Sequence, residues 1–321
     1  VKLQQESIEN LQAFSKFAGH FSTASQVFAS PVWLANWWQH FGSGMTPLIL
    51  IAQNKTDTVG FAPFMISDKT VRIMGGTNVC DYLDILVKPE SADQVCSSIL
   101  TFLINSGYFK LDLYPLRPES FVLTHLAPAA ERCGCNKIEI ETHDLSFEMA
   151  LPEEWEEYLA GLNSKQRHEI RRKLRRLREF GDFEFKAIDP VEDSLDMFFD
   201  MFISSRTDKF EFMTSEMKAF FRDMAGNLSK TGVFKLFTLE LSQKPVAAVI
   251  CFDCHGRISL YNNAYDTKYA SLSVGVISKI MSVQKSILDK RHTYDFLKGA
   301  EHYKKHLGGT PVTLYRCRIS L

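Results

Sequence analysis

What the 321-residue chain lacks narrows its class before any motif is considered. No apolar stretch approaches the roughly 20 residues that a membrane-crossing helix needs. A transmembrane segment is therefore not expected, although peripheral membrane contact stays open. The pattern G-x-x-x-x-G-K-[ST] is absent, which argues against phosphoryl transfer. The G-x-S-x-G elbow is absent as well, which argues against a Ser/His/Asp hydrolase. Charge of one sign is not in excess: 37 Lys and Arg face 38 Asp and Glu, for a net charge of −1. The molecule as a whole is thus no general nucleic-acid binder, DNA is not an expected partner, and any basic patch is local. The seven cysteines are odd in number. Without a signal peptide they read as free thiols in a reducing, cytoplasmic compartment. Cys251-Phe-Asp-Cys254 has C-x-x-C spacing, but no second Cys pair with His partners completes a zinc set, so no metal is expected. The first residue is Val1 rather than Met, which leaves open a native start, with any targeting segment, upstream of this sequence.

What is present points to folded domains. Hydrophobic residues make up 45% of the chain, with 25 Phe and 4 Trp, enough to fill two cores. The length suggests two domains or one large one. The strand pattern occurs twice. Leu48–Gln53, Val59–Ile66 and Val71–Met74 are apolar, β-rich runs broken by short polar turns, and so are Phe234–Leu241, Val246–Phe252 and Arg257–Tyr261. Each set predicts a strand meander. Each leads into a helical stripe, Val95, Ile99, Phe102 and Leu103 in the first half and Val274, Ile277, Ile280, Met281, Ile287 and Leu288 in the second. Each then reaches a short strand holding one acid, Phe109–Tyr114 and Thr293–Leu297. The expected fold class is α/β (α+β), in two domains, 1–150 and 151–321, each a mixed, mostly antiparallel sheet flanked by helices. Pro152-Glu-Glu-Trp155 is expected to start a helix with Pro near its first turn. Trp33, Trp37 and Trp38 stand at helical spacing and suit core or interdomain packing.

Residues 165–178 hold eight Lys or Arg on a predicted helix capped by Asn163 or Ser164. Ile170, Leu174 and Leu177 give it one apolar stripe. Two readings stand together: a solvated face, or a site for the phosphates of a nucleotide-linked substrate, a tRNA donor or an acidic membrane. Arg171 and Arg172 are the first choices for gripping phosphate, because a guanidinium can do so with two parallel hydrogen bonds.

The stretch Tyr261-Asn-Asn-Ala-Tyr-Asp-Thr-Lys-Tyr-Ala-Ser-Leu-Ser-Val-Gly275, followed by Tyr294-Asp-Phe-Leu-Lys-Gly-Ala-Glu-His-Tyr-Lys304, resembles the FemAB-like and CelD-like branch of the GNAT acetyltransferase superfamily. The helix Arg167–Arg178, the segment Ser30-Pro-Val-Trp-Leu-Ala-Asn-Trp37 with Phe41-Gly42, and Asp81-Tyr-Leu-Asp84 are similar to that branch too. The resemblance implies two tandem GNAT-like domains and acyl transfer to an amine or hydroxyl. In peptidoglycan-bridge members the donor is aminoacyl-tRNA and the acceptor a nucleotide-linked precursor. In CelD-like members the context is exopolysaccharide production, and acyl-CoA, such as acetyl-CoA, is the implied donor. The wording of Tyr294–Lys304 lies nearer the second group, so a thioester donor and a small-molecule, nucleotide-linked or lipid-linked acceptor of the cell envelope are expected. The family loop Gln/Arg-x-x-Gly-x-Gly/Ala is represented here by Ala270, Ser273 and Gly275, of which only the last keeps the pattern.

Roles follow for the residues so placed. Ser271, Ser273, Val274 and Gly275 would enter a helix whose free N–H groups suit a diphosphate, while Ser271 or Ser273 as N-cap and Gly275 as packing glycine are compatible alternatives. Asp295 or Glu301 could serve as base, or Asp295 could be salt-bridged at a strand end, to Lys298, Lys304 or Lys305. Tyr303 or Tyr265 could protonate the leaving group, and Lys304 could balance phosphate or an oxyanion. Arg206, Lys209 and Lys298 are candidate substrate contacts. The first half offers fewer reactive groups and is expected to be structural or to face the acceptor. An aminoacyl-tRNA-dependent transferase and a catalytically degenerate scaffold of polysaccharide synthesis are the competing functions.

Overall fold

The computed structural model describes residues 1–21, 26–135, 137–191, 194–205 and 207–321. The chain divides into two compact units, Val1–Ser146 with Val312–Leu321, and Phe147–Pro311. The expected break after residue 150 therefore falls four residues earlier, and the last strand does not belong with the second half. The reason is pairing: β13 (Thr310–Ser320) is antiparallel to β6 (Lys110–Leu116), with Ile319 opposite Leu111.

In the first unit, β1 (Lys2–Glu6), β2 (Thr46–Asn54), β3 (Asp57–Ser67) and β4 (Thr70–Ile73) run antiparallel in that order, and β4 then meets β6 in parallel at Val71 and Leu111. The two-residue β5 (Leu86–Val87) adds to β3, and β7 (Lys137–Ala150) follows β13. The parallel step requires a crossover, and the helix Ala92–Asn105 supplies it. That helix lies close to the sheet. A Cβ on Gly60 of β3 would sit 2.7 Å from Val95 Cγ1. Trp33 and Trp37 are buried in the helix Pro31–Phe41, which Ser30 caps, whereas Trp38 is half-buried. The strand acid Asp112 is held by Arg316 through two 2.6 Å bonds. Burial pushes its carboxyl up, but Arg316, Arg318 and Arg72 more than offset that and keep it below the usual carboxylate range.

In the second unit, β8 (Phe183–Ile188), β9 (Phe234–Leu241), β10 (Lys244–Cys254) and β11 (Arg257–Tyr265) are antiparallel, and β11 meets β12 (Thr293–Lys298) in parallel. The crossover is the helix Val274–Leu288. Directions and crossover thus repeat those of β2 through β6. The helices Leu195–Ser205 and Ser215–Ser229 precede β9 and bury Phe198, Phe199, Phe220 and Phe221. Asn163 caps the basic helix Ser164–Phe180 in a capping box with Gln166, and Ile170, Leu174 and Leu177 are its buried stripe. Pro152 lies outside any helix. The helix after β7 is Trp155–Gly161, started by the Glu154/Glu157 capping box, whose reciprocal bonds outweigh a proline signal two residues upstream. Cys251 is buried in β10, and burial raises its thiol pKa, so it acts as a small apolar side chain.

Asp84 of the Asp81-Tyr-Leu-Asp84 motif is buried and accepts from the amides of Ile85, Phe121 and Val122 at 2.9, 2.9 and 3.3 Å. Burial pushes it up to about 7 against those three donors. The motif is thus a cap for the helical segment beginning at Phe121. Replacing Asp84→Ala should cost about 1–2 kcal/mol, the upper range for a helix cap, read as a lowered midpoint in urea with unchanged slope.

Candidate active site at the opening of two strands

The parallel ladder between β11 and β12 covers only three pairs, Arg257–Thr293, Ile258–Tyr294 and Ser259–Asp295. Beyond it both strands continue without pairing to each other, and a wedge opens. Tyr261 is skipped on the other side of β11, where Ile250 pairs with Asn262 and Cys251 with Leu260. Such a bulge sharpens local twist and turns a strand away from its neighbour.

The helix Val274–Leu288 starts at the wedge. A short helical turn, Thr267–Leu272, precedes it, with Asp266 accepting from the Lys268 amide at 2.9 Å. Ser273 then adopts φ +61° and reverses the chain into the helix. Its hydroxyl does not cap that helix. It lies 3.0 Å from Lys173 Nζ, which also pairs with Glu169 at 3.0 Å. The first-turn amides of Val274 and Gly275 are not consumed by the helix's own bonding. Gly275 is a packing glycine: a Cβ there would meet the Tyr265 ring at 2.8 Å. Tyr265 thereby supports the helix start. Ser271 is exposed one turn earlier.

The end of β12 is fixed by Lys304. Its ammonium is buried, 1% exposed, and donates to the carbonyls of Leu297, Lys298 and Gly299 at 3.1, 2.6 and 3.1 Å. A fourth contact reaches Glu301 Oε2 at 2.9 Å. Those carbonyls converge because Leu297 has φ +60° and Gly299 φ +112°, which curls the chain at the end of the strand. Lys304 is thus occupied in closing the loop. Lys298 contributes its carbonyl to the same clamp. Glu301 remains exposed at the mouth, and Tyr303 is half-buried in the short helix His302–His306.

Asp295 is fully buried. It accepts from the Leu297 amide at 2.8 Å and from Arg257 Nη1 at 3.1 Å, and the same nitrogen reaches Glu148 at 2.7 Å. Arg257 is thus one cation that holds it. A carboxylate engaged in this way steadies the ladder where it ends.

Within the wedge lies a lysine that sequence reasoning missed. Lys279 Nζ donates to Asn263 Oδ1 at 2.6 Å and to the Gly275 carbonyl at 2.8 Å, and sits 4.6 Å above the Tyr303 ring. Asn263 is held in turn by Ala248 and Ser278, and its carbonyl accepts from Lys209 at 2.7 Å. Burial, followed by the charge of Lys209, pushes Lys279 down to about 7, with Glu301 pulling the other way. The available signal was the spacing Gly275, Ser278, Ser282 and Ser286. It marks a face of small residues pressed on the sheet, beside which a lysine has no route to solvent.

A cavity of about 1020 Å³ opens beside this helix, walled by the basic helix, Val276, Ile280, Tyr303, His306 and Leu307. Arg171 and Arg172 do not line it. Arg171 pairs with Glu156 at 3.2 Å, and Arg172 makes two 2.8 Å bonds to Glu169. Arg167 caps the preceding helix by donating to the carbonyls of Leu159 and Leu162, both at 3.2 Å. Much of the predicted cationic face is therefore used within the fold. Arg206 lies outside the described residues. The structure thus brings together Ser273, Val274, Gly275, Tyr265, Lys298, Glu301, Tyr303 and Lys304, and sets Arg171 and Arg172 apart.

Among the described residues no helix is long and apolar enough to cross a membrane, and no group of three or more His, Cys, Asp or Glu is arranged to hold a metal. Residues 164–305 match the family model Acetyltransf_6, described as an acetyltransferase (GNAT) domain. No curated protein matches the chain. Solved structures resemble it along its length. FemX aligns over 99% of this chain and 97% of its own, with a TM-score of 0.68 and 10% identity. L-PGS from Bacillus licheniformis aligns over 98% and 92%, with a TM-score of 0.61 and 11% identity. A tandem GNAT protein from the clavulanic acid biosynthesis pathway aligns over 99% and 98%, with a TM-score of 0.50 and 10% identity. Residues 164–305 thus match a GNAT domain model, and the chain shares its mixed α+β fold with these solved structures.

Two outcomes follow from the buried lysines. An unfolded lysine titrates near 10.5, whereas Lys279 in the fold titrates near 7. Between those values the unfolded chain carries a proton that the folded chain has released, so folding is favoured increasingly as pH rises from about 7 towards 10.5. Wild-type Tm should therefore climb relative to Lys279→Met over that window, and a constant difference would contradict the assignment. Lys304→Met should lower stability by about 3 kcal/mol or more, since it strands the carbonyls of Leu297, Lys298 and Gly299, as checked by urea unfolding.

Proposed function

We propose that the chain is an acyltransferase built from two tandem GNAT-like domains, and that the second carries the donor site. It moves an acyl group from acyl-CoA to an amine or hydroxyl of a cell-envelope or exopolysaccharide-related acceptor. The observation that carries this reading is the three-pair β11–β12 ladder, opening onto the start of the helix Val274–Leu288. A wedge of unpaired strand backbone offers hydrogen bonds to an extended, amide-bearing arm. The helix start beside it offers amides and a positive end to a diphosphate. Lys173, already at Ser273, adds a cation there. The match to a GNAT domain model over residues 164–305 and the fold shared with a tandem GNAT protein support the reading.

The chemistry then falls to the groups at the mouth. The acceptor nitrogen or oxygen attacks the thioester carbonyl, and Glu301, the exposed carboxylate there, takes its proton through water. The tetrahedral adduct collapses as the C–S bond breaks, and the departing sulfur takes a proton from the Tyr303 hydroxyl. Asp295 is left out of the reaction, since its carboxylate is fully buried and engaged by Arg257. Lys304 supports Glu301 by position and by its 2.9 Å contact. The aminoacyl-tRNA reading draws on the basic helix, but Arg171 and Arg172 are paired to acids within the fold.

The test is acyl transfer followed by release of free CoA thiol, with a panel of amino sugars and envelope precursors as acceptors. Glu301→Gln should lower kcat about 100-fold, within the usual range for loss of a general base, while Tm stays within about 2 °C. Retained turnover in Glu301→Gln would remove it from the base role. Absence of any CoA-induced rise in Tm would remove the donor assignment.

A further inference from the structure

We propose that the cavity beside the donor helix holds the hydrocarbon chain of the donor, so that the substrate is a medium- or long-chain acyl-CoA. This rests on the donor site assigned above and names its acyl class. The cavity measures about 1020 Å³, at the top of the range of roughly 300–1,000 Å³ usual for ligand pockets, and an acetyl group needs almost none of it. Its apolar wall is Ile170, Val276, Ile280 and Leu307. All of its lining residues lie in helices or at their caps, namely residues 163–173, 276, 280 and 303–307, where backbone amides are largely spent on the helix. A pantetheine arm carries amides that need partners, and the facing edges of β11 and β12 offer strand backbone for them, whereas the surface that the cavity wall exposes is mostly apolar. A chain of methylenes needs none.

Charge at the rim fits the same ligand. Lys165, His168, Lys173 and His306 border the cavity, with Glu169 as the rim's acid. Glu169 is already shared between Arg172 and Lys173, and this pairing holds it down at about 2. Lys165 has no ion pair among the described residues. Lys173 borders the cavity and also reaches Ser273, so it links the start of the donor helix to the cavity mouth. An anionic head at that helix start with an apolar tail in the cavity would be continuous through one side chain. Tyr303, which also lines the cavity, would lie where head and tail meet.

The experiment is calorimetric titration of the whole protein with CoA, acetyl-CoA, octanoyl-CoA, dodecanoyl-CoA and, as a chain without CoA, n-dodecyl phosphate. Dodecanoyl-CoA should bind at least about ten-fold tighter than acetyl-CoA, since buried methylenes contribute cumulatively. Ile280→Phe, and independently Ile170→Phe, should fill the cavity and reduce dodecanoyl-CoA to the affinity of acetyl-CoA, with free CoA unchanged. Equal affinities for acetyl- and dodecanoyl-CoA would overturn the chain assignment and leave the donor site standing. Binding of dodecyl phosphate with no CoA species bound would overturn both and make the cavity an acceptor site. No binding by any of the five would overturn both as well.

Discussion

The Lys304 ammonium decides where β12 stops, and the wedge depends on that. Three carbonyls in succession point inward at the end of this strand, which a continuing ladder would have paired with a neighbour. One buried cation takes all three, and the sharp curl it stabilises places Glu301 and Tyr303 directly after the strand. At the other end of the short ladder, Arg257 binds Asp295 and Glu148 and holds the last paired residues together. The opening is thus bounded by two charge clamps, one closing the ladder and one turning the chain away from it.

The buried Lys279 adds a different constraint. Two oxygen acceptors and an aromatic face surround its nitrogen, an arrangement that suits the three N–H groups of an ammonium, while burial and Lys209 oppose that charge. The balance leaves the amine near the neutral point within reach of Glu301's field. The first unit has no matching lysine on its crossover helix, whose residues 92–105 include none. Its strand acid, Asp112, is instead ringed by Arg316, Arg72 and Arg318. Equal strand order with unequal chemistry is what would be expected if one unit retains a reacting site and the other serves the acceptor or the fold.

The repeating strands and crossover helices were legible because turns and period-two runs are local signals, as was the Asn163 cap with its Gln166 partner. The role of Asp295 was not, because its cation stands 38 residues away on β11 and only the parallel pairing brings them together. Lys304 could be placed beside Glu301 and Tyr303 from spacing alone, but not buried, since its three acceptors are backbone atoms curled by a positive-φ leucine. The basic helix misled in the other direction: its Arg residues are conspicuous, while the acids that pair with Arg171 and Arg172 are inconspicuous neighbours at Glu156 and Glu169. The final strand could not be assigned to the first unit from sequence, because sheet partners are not written in a strand's own residues.

Hydrogen–deuterium exchange with and without dodecanoyl-CoA and free CoA tests the location of the donor site most directly. With free CoA the account predicts slowed exchange at residues 271–277 and 297–304, joined under dodecanoyl-CoA by the cavity wall at residues 163–170, 276–280 and 303–307, with the β1–β4 region unchanged in both. Protection by free CoA centred instead on Arg171 and Arg172, or on the first unit, or on neither segment at saturating ligand, would contradict a donor site at the opening of β11 and β12.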